Sequence, residues 1–310
     1  MPGYVLRAAS RPRRRGYRPR FVETALAIDV GGTKLAVARV DAAGRLSDRR
    51  AAPTPTHGDA EAMWSRLAGL VAEVRRGDEV VAGVGCGGPM APGGTVVSPL
   101  NIPAWVDFPL RDRLGELTGL PVHVDNDAKA LALGEGWVGA ARGQRHFVAM
   151  VVSTGVGGGI VLDGRLLDGA AGNAGHIGHV IVEPAGRVCG CGARGCLEAE
   201  ASGTGIRAAT GRDPREAGED VRRRTGVLVG RAVASVANLL DLRLAVVAGS
   251  VALGYGDTFF AAAQGELDAR ARIEFARGAR IVRAGLGDAG PLVGAAAVGW
   301  RAEGRPVGVA

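Results

Sequence analysis

A histidine and three cysteines crowded into one short glycine-rich stretch constrain this chain more than any other feature. Residues 171–198 read AGNAGHIGHVIVEPAGRVCGCGARGCLE, with Cys189, Cys191 and Cys196 in a CxCxxxxC spacing and His179 ten residues upstream. Three thiolates and one imidazole make a tetrahedral zinc set with no position left open for water. Gly190, Gly192 and Gly195 let the backbone wrap a small ion. Thiols buried as small hydrophobes would not put three cysteines within eight residues. A disulfide framework fits no better, because the sequence shows no cleavable secretory signal and is too long to need stapling. A closed site of this kind holds structure. Its expected job is to fix the loop between His176 and Glu198 so that side chains there aim at a ligand.

The chain has 310 residues, enough for two domains with real cores. Its longest run without charge, Val80 to Val106, carries ten Gly or Pro residues, so no spanning helix is expected. A net charge of +7 suggests polyanions until its placement is considered. Residues 1–20 hold seven of the 38 basic side chains and no acid, so 31 basic residues balance 31 acidic ones in the remainder. The arm is expected to be a disordered basic tail, too short for a DNA-binding domain, and nucleic acid is not an expected partner. Only Lys34 and Lys129 among the basic residues are lysine, which makes each of them informative.

VETALAIDVGGTKLAVARVDAAG is an apolar run, a Gly-Gly turn and a second apolar run, the pattern of a β-hairpin. At its turn Asp29, Gly31, Gly32, Thr33 and Lys34 offer N–H groups, a hydroxyl and an ammonium to a phosphate, and a carboxylate to hold Mg²⁺ through water. FVAMVVSTGVGGGIVLDGRLLDG repeats that logic with Thr154 and Gly155 about 120 residues later, which predicts two similar halves facing across a nucleotide. Between them, DAEAMWSRLAGLVAEVRR has helical spacing of its apolar residues. Gly83, Gly85 and Gly88 form a GxGxxG that is not a dinucleotide fingerprint, because prolines follow where a helix should start. Asn101 and Trp105 are expected to line the cleft. VHVDNDAKALALGEGW delivers Asp125, Asn126 and Asp127 to a helix mouth, where capping explains one of them and a carboxylate between two phosphate turns can act as a general base. Lys129 is expected on the exposed side of that helix. Beyond Glu198, residues 211–226 read as a polar connection, followed by a helix, a strand with Gly249, and a final strand and small-residue helix.

DVGGTK, GCGGP, NDAKALALGE, STGVGGGI, AGHIGH and CGCGARGCLE, in that order and spacing, resemble the ROK family of bacterial sugar kinases and sugar-responsive repressors. The resemblance implies an α/β, two-domain actin-like (ribonuclease H-like) ATPase fold with a zinc-binding loop. Expected boundaries are a basic arm at 1–20, an N-terminal domain at 21–125, a C-terminal domain with the zinc loop at 126–290, and a helix at 291–310 returning to the first domain. The implied activity is ATP-dependent phosphorylation of a hexose or hexosamine hydroxyl, with ATP, Mg²⁺ and structural Zn²⁺, in a cytoplasmic homodimer. The alternative is a non-catalytic sugar-sensing protein without its DNA-binding domain. Carried over, Asp127 is the base; Gly88, Asn126, His179 and Glu198 contact sugar; Asp29, Thr33, Lys34, Thr154 and Gly155 handle Mg²⁺ and phosphates. Asn101 belongs to the expected sugar side and Gly249 to the nucleotide side. His176 stands where the family's glucokinases usually carry Glu, which leaves the sugar, and polyphosphate as an alternative donor, open.

Overall fold

The structure, a computed structural model, describes residues 23–55 and 59–307. The basic arm at 1–20 therefore lies outside the described residues. Strands β1 (Thr24–Val30), β2 (Lys34–Asp41) and β3 (Leu46–Pro53) precede helix α1 (Ala60–Val74), β4 (Glu79–Cys86), α2 (Leu110–Thr118) and β5 (Val122–Asn126). Then follow α3 (Asp127–Val138), β6 (Phe147–Val152), β7 (Val156–Leu162), β8 (Arg165–Leu166), and the short helices α4 (Leu197–Ala201) and α5 (Gly203–Thr210). The chain ends with α6 (Glu219–Leu240), β9 (Leu244–Ala248), α7 (Ser250–Arg270), β10 (Arg280–Arg283) and α8 (Gly290–Ala302).

The strands make two five-stranded sheets, ordered β3-β2-β1-β4-β5 and β10-β9-β6-β7-β8. In the first, β1 pairs antiparallel with β2 and parallel with β4; in the second, β6 pairs antiparallel with β7 and parallel with β9. Read from opposite ends, the two orders coincide, so the duplication expected from the paired hairpins extends to whole sheets.

Alternation along the strands stacks the layers. On β1, Leu26 and Ile28 face outward onto a core with Leu67 of α1 and Leu114 of α2, while the small Ala25 and Ala27 face inward. On β6, Val148 and Met150 join a core with α6 and α7, while Phe147 and Ala149 face inward. The inward faces of both sheets share one core with α3 and α8. Small residues permit that closeness: a Cβ added to Gly83 of β4 would fall 2.0 Å from the Ala295 carbonyl oxygen of α8. Since α3 begins where β5 ends, the tight middle layer fixes the position of Asn126 and Asp127.

Two expectations fail here. Residues 219–226 are the first turns of a 22-residue helix and not loop. Glu219 and Asp220 complement its N-terminus, and Thr225 turns inward with its hydroxyl donating to the Val221 carbonyl. Trp105 does not line a cleft: it is buried, stacked on Phe108 at 4.2 Å, and donates its indole N–H to Ala60.

Candidate active site

The first glycine turn is held from behind. Thr54, buried, donates its hydroxyl to the Gly31 carbonyl at 2.6 Å and its amide to Thr33 at 3.1 Å. This leaves the Thr33 side chain exposed. Asn101 lies against the same turn, because a Cβ on Gly32 would fall 2.4 Å from the Asn101 Cβ. The second turn is tied in the same manner by Thr204, whose amide and hydroxyl both donate to the Thr154 carbonyl, at 3.2 and 3.0 Å. Thr154 is exposed in its turn. Beside it, the Ser153 and Ser250 hydroxyls are 2.9 Å apart, and Gly249 abuts the end of β6, where a Cβ would meet the Val152 carbonyl at 2.3 Å. Glu198 sits under this turn: its Oε2 accepts the Val156 amide at 2.9 Å, and a Cβ on Gly155 would fall 2.8 Å from the same oxygen.

Between the turns, β5 ends on Asn126 and α3 begins on Asp127. Asn126 is the N-cap of α3, accepting the Ala128 amide at 3.0 Å. Its Nδ2 lies beside Gly88 of the loop after β4. Asp127 also accepts the Ala128 amide through Oδ1, at 2.8 Å. Its carboxylate is open to water, yet it lies deep in protein mass, a combination that describes a group on the floor of a cleft. Burial raises its pKa above the usual carboxylate range, against the pull of the backbone amides and His176. Asp29 is raised to about 7, by burial first and then by Asp127, with Lys34 and Arg49 opposing. Asp127 therefore feels both the first glycine turn and the loop that carries His176. Two neighbouring carboxyl groups, both raised above the usual carboxylate range, suit cation capture and proton transfer.

The ligand atoms of His179, Cys189, Cys191 and Cys196 all lie within 4.8 Å of one another. Cys191 Sγ is 3.7 Å from Cys196 Sγ, and Cys189 Sγ is 3.8 Å from His179 Nδ1. A zinc tetrahedron with bonds of about 2.3 Å to sulfur and 2.0–2.1 Å to nitrogen requires edges of roughly 3.6–3.8 Å, so the cluster has the right size for zinc. Burial and the adjacent sulfurs push the Cys196 thiol up to about 12, a crowding of potential thiolates that a cation would relieve. Gly195 is obligatory in this loop: its φ is +77°, and a Cβ would lie 1.7 Å from the Glu183 carbonyl oxygen. With Nδ1 directed at the cluster, His179 has Nε2 on its other edge, and the His176 and His179 ring centres are 6.0 Å apart.

The sequence profile of the ROK family matches residues 25–301. The chain belongs to the ROK family. It is a carbohydrate kinase of that family. N-acetylmannosamine kinase of Citrobacter koseri is 42% identical over 247 residues, spanning 74% of this chain and 84% of that protein. The ROK hexokinase of Thermus thermophilus superposes with a TM-score of 0.77 at 35% identity, covering 91% of this chain and 100% of that one. A ROK glucokinase from Streptomyces griseus, solved with glucose and AMPPNP, gives 0.77 at 30% identity, covering 90% of this chain and 99% of that one. This ROK fold has the two mixed sheets that the motifs implied. Among the described residues, no helix is long and apolar enough to cross a membrane.

Several residues around the ROK site carry no motif. Thr54 and Thr204 brace the two turns, and the charge of Arg49 on β3 acts on Asp29, opposing the rise of its pKa. Glu200 is buried beneath the cysteine loop, accepting the Arg187 amide at 2.6 Å and pairing with Arg224 at 2.7 Å. In the sequence only its place two residues after Glu198 hints at a role. Lys129 overturns an expectation: it is 4% exposed, not on an outer face, and its ammonium is fully engaged inside the protein.

Proposed function

We propose that the protein phosphorylates an N-acylated hexosamine, N-acetylmannosamine first among candidates, with ATP as donor. The observation that carries this reading is the position of Asp127, coupled to Asp29 of one glycine turn and to His176 of the cysteine-pinned loop. Donor phosphates on one side and an acceptor hydroxyl on the other would meet at that carboxylate. The 42% identity to an N-acetylmannosamine kinase supports the choice of acceptor. So does His176, because an imidazole in place of a carboxylate changes which hydrogen bonds a ring substituent can make.

In this scheme the exposed Thr33 and Thr154, the turn amides and Lys34 orient the phosphate tail, with the Gly249–Ser250 turn beside the second hairpin on the nucleotide side. Asp29 would hold Mg²⁺, whose charge would offset that of the phosphates. Asn126 Nδ2, Gly88, Asn101, His176, His179 Nε2 and Glu198 would form the sugar side. Asp127 accepts the proton of the attacking hydroxyl. Phosphoryl transfer asks little covalent chemistry of a protein, so most of the acceleration comes from alignment and charge placement. Zinc at the His179 and cysteine cluster would hold the sugar loop and take no part in the reaction. A cytoplasmic homodimer fits the same reading.

The test is a coupled ADP-release assay across N-acetylmannosamine, N-acetylglucosamine, mannose and glucose, on wild type and Asp127→Asn. The expected result is highest kcat/KM with N-acetylmannosamine and loss of turnover in the variant. Turnover of glucose alone would reject the acceptor assignment. Full activity of the variant would reject Asp127 as the base.

A further inference from the structure

Lys129 is a buried charge that the scheme above does not use. It stands on the first turn of α3, two residues after Asp127, in a chain whose only other lysine is Lys34. Its Nζ lies 2.9 Å from Asp125 Oδ1, 3.0 Å from Asp168 Oδ1 and 3.1 Å from the Gly172 carbonyl oxygen. An ammonium has three protons, and three oxygens surround this one. Asp168 is gripped a second time by Arg301 of α8, at 3.3 Å. Buried ammonium groups persist only when paired in this way, and losing one partner leaves the others uncompensated.

What matters is where the three oxygens come from. Asp125 belongs to β5 and lies two residues before Asp127, in the first sheet. Asp168 and Gly172 belong to the loop that leaves β8 of the second sheet and arrives at His176 four residues after Gly172. The rest of that loop is tied to itself and to β7: the Ala174 amide donates to the Asp168 carbonyl at 3.0 Å, and Gly175, at φ +101°, lies flush against Gly158, whose carbonyl oxygen a Cβ would meet at 2.5 Å. One side chain thus bridges the strand that delivers Asp127 and the loop that delivers His176.

We infer that Lys129 is a positioning residue that sets the placement of the His176 loop relative to Asp127 by clasping Asp125, Asp168 and Gly172 together. The inference rests on the sugar-kinase reading above, because it assigns the loop to the acceptor side. Arginine would not substitute, since a planar fork of five donors does not fit three oxygens arranged around a point. The clasp touches neither glycine turn, so its loss should be felt by the sugar and not by the nucleotide.

The experiment compares wild type with Lys129→Met, Lys129→Arg, Asp168→Asn and the Lys129→Met/Asp168→Asn double variant. It measures KM for N-acetylmannosamine, KM for ATP, kcat and the melting temperature. Displacements of about 1 Å in aligned reactants can cost on the order of 10²-fold, so kcat/KM for the sugar is expected to fall 10- to 100-fold in Lys129→Met, with KM for ATP within twofold. Lys129→Arg should not rescue it. Asp168→Asn should show a smaller loss of the same kind, and the double variant should lose little beyond Lys129→Met, because both changes break one link. Asp168 is half-exposed, so its variant keeps the test available if Lys129→Met does not fold. A lower melting temperature with both KM values and kcat unchanged, equal losses toward sugar and ATP, or full rescue by arginine would each overturn the inference. Wild-type inactivity toward every sugar would instead reject the kinase reading itself.

Discussion

Asp29 should make the protein less stable than its asparagine variant. Its carboxyl is raised from the ordinary 3.8 to about 7 by burial and by the facing Asp127. At ~1.4 kcal/mol for each tenfold change in proton affinity, this penalises the ionised form by roughly 4 kcal/mol. Water entering the cleft screens part of that, so about 2–4 kcal/mol is the expected cost. The folded state holds its proton more tightly than the unfolded chain, so stability falls as pH rises from about 4 to about 7 and is level above. Asp29→Asn removes the titration, and among the described residues the Asp29 side chain makes no hydrogen bond that the change would break. Urea unfolding of nucleotide-free, magnesium-free protein should show the variant more stable by about 2–4 kcal/mol at about pH 8, and by roughly half as much at about pH 5.5. Equal stability at about pH 8, or the same gain at both pH values, would refute the electrostatic reasoning. Mg²⁺ with nucleotide should narrow or reverse the difference, because a bound cation favours the ionised wild-type carboxylate.

Other expectations concern the acceptor side. Asp127→Asn should lower kcat by about 10² to 10⁴ while calorimetric sugar affinity changes little. Because Asp127 must be ionised to accept a proton and burial raises its pKa, wild-type kcat/KM should fall on acidification at a pH above the usual carboxylate range. Cys191→Ser, or treatment with a strong chelator, should lower metal content by mass spectrometry, lower the melting temperature and raise KM for the sugar more than KM for ATP. His176→Glu should shift the kcat/KM ratio toward glucose, and an unchanged sugar profile would remove His176 as a determinant.

The candidate site was legible where its pattern depends on residues close in sequence. The CxCxxxxC spacing announces a metal cluster because the ligands must reach a single point, and each glycine turn announces itself by an apolar run on either side. Which residue of the Asp125-Asn126-Asp127 trio caps the helix needed coordinates, and it is Asn126. Lys129 and Trp105 were misplaced for a common reason. A lysine in a helix and a tryptophan in a proline-containing loop are ordinarily expected near water, but α3 is enclosed by both sheets and α8, and Trp105 caps the core beneath α1. The start of α6 was hidden because its Arg-rich turns have little apolar pattern of their own, and packing against α7 sustains them. Thr54 and Thr204 had no signal at all, since each acts through a contact with a distant turn.

Strand direction explains why so many separate motifs meet. The first glycine turn follows the C-terminal end of β1, Gly88 and Asn101 follow that of β4, and Asp127 follows that of β5; β1, β4 and β5 run parallel, so these ends share one edge. In the second sheet the other glycine turn follows β6, Gly249 follows β9, and the loop to His176 follows β8. β6 and β9 are parallel, and β8 is antiparallel to β7, which is itself antiparallel to β6. Those three ends therefore also share one edge. In α/β sheets ligands gather at the C-terminal edge. Here the frames are duplicated but the additions are not: one half carries an insertion after β4, the other a longer, cysteine-bearing one after β8. The repeated part can serve the two ends of a nucleotide tail, which present the same phosphate chemistry twice. The unrepeated part would then recognise the asymmetric partner, and the residues proposed for the sugar side do fall in the two insertions and at the β5–α3 junction between the sheets.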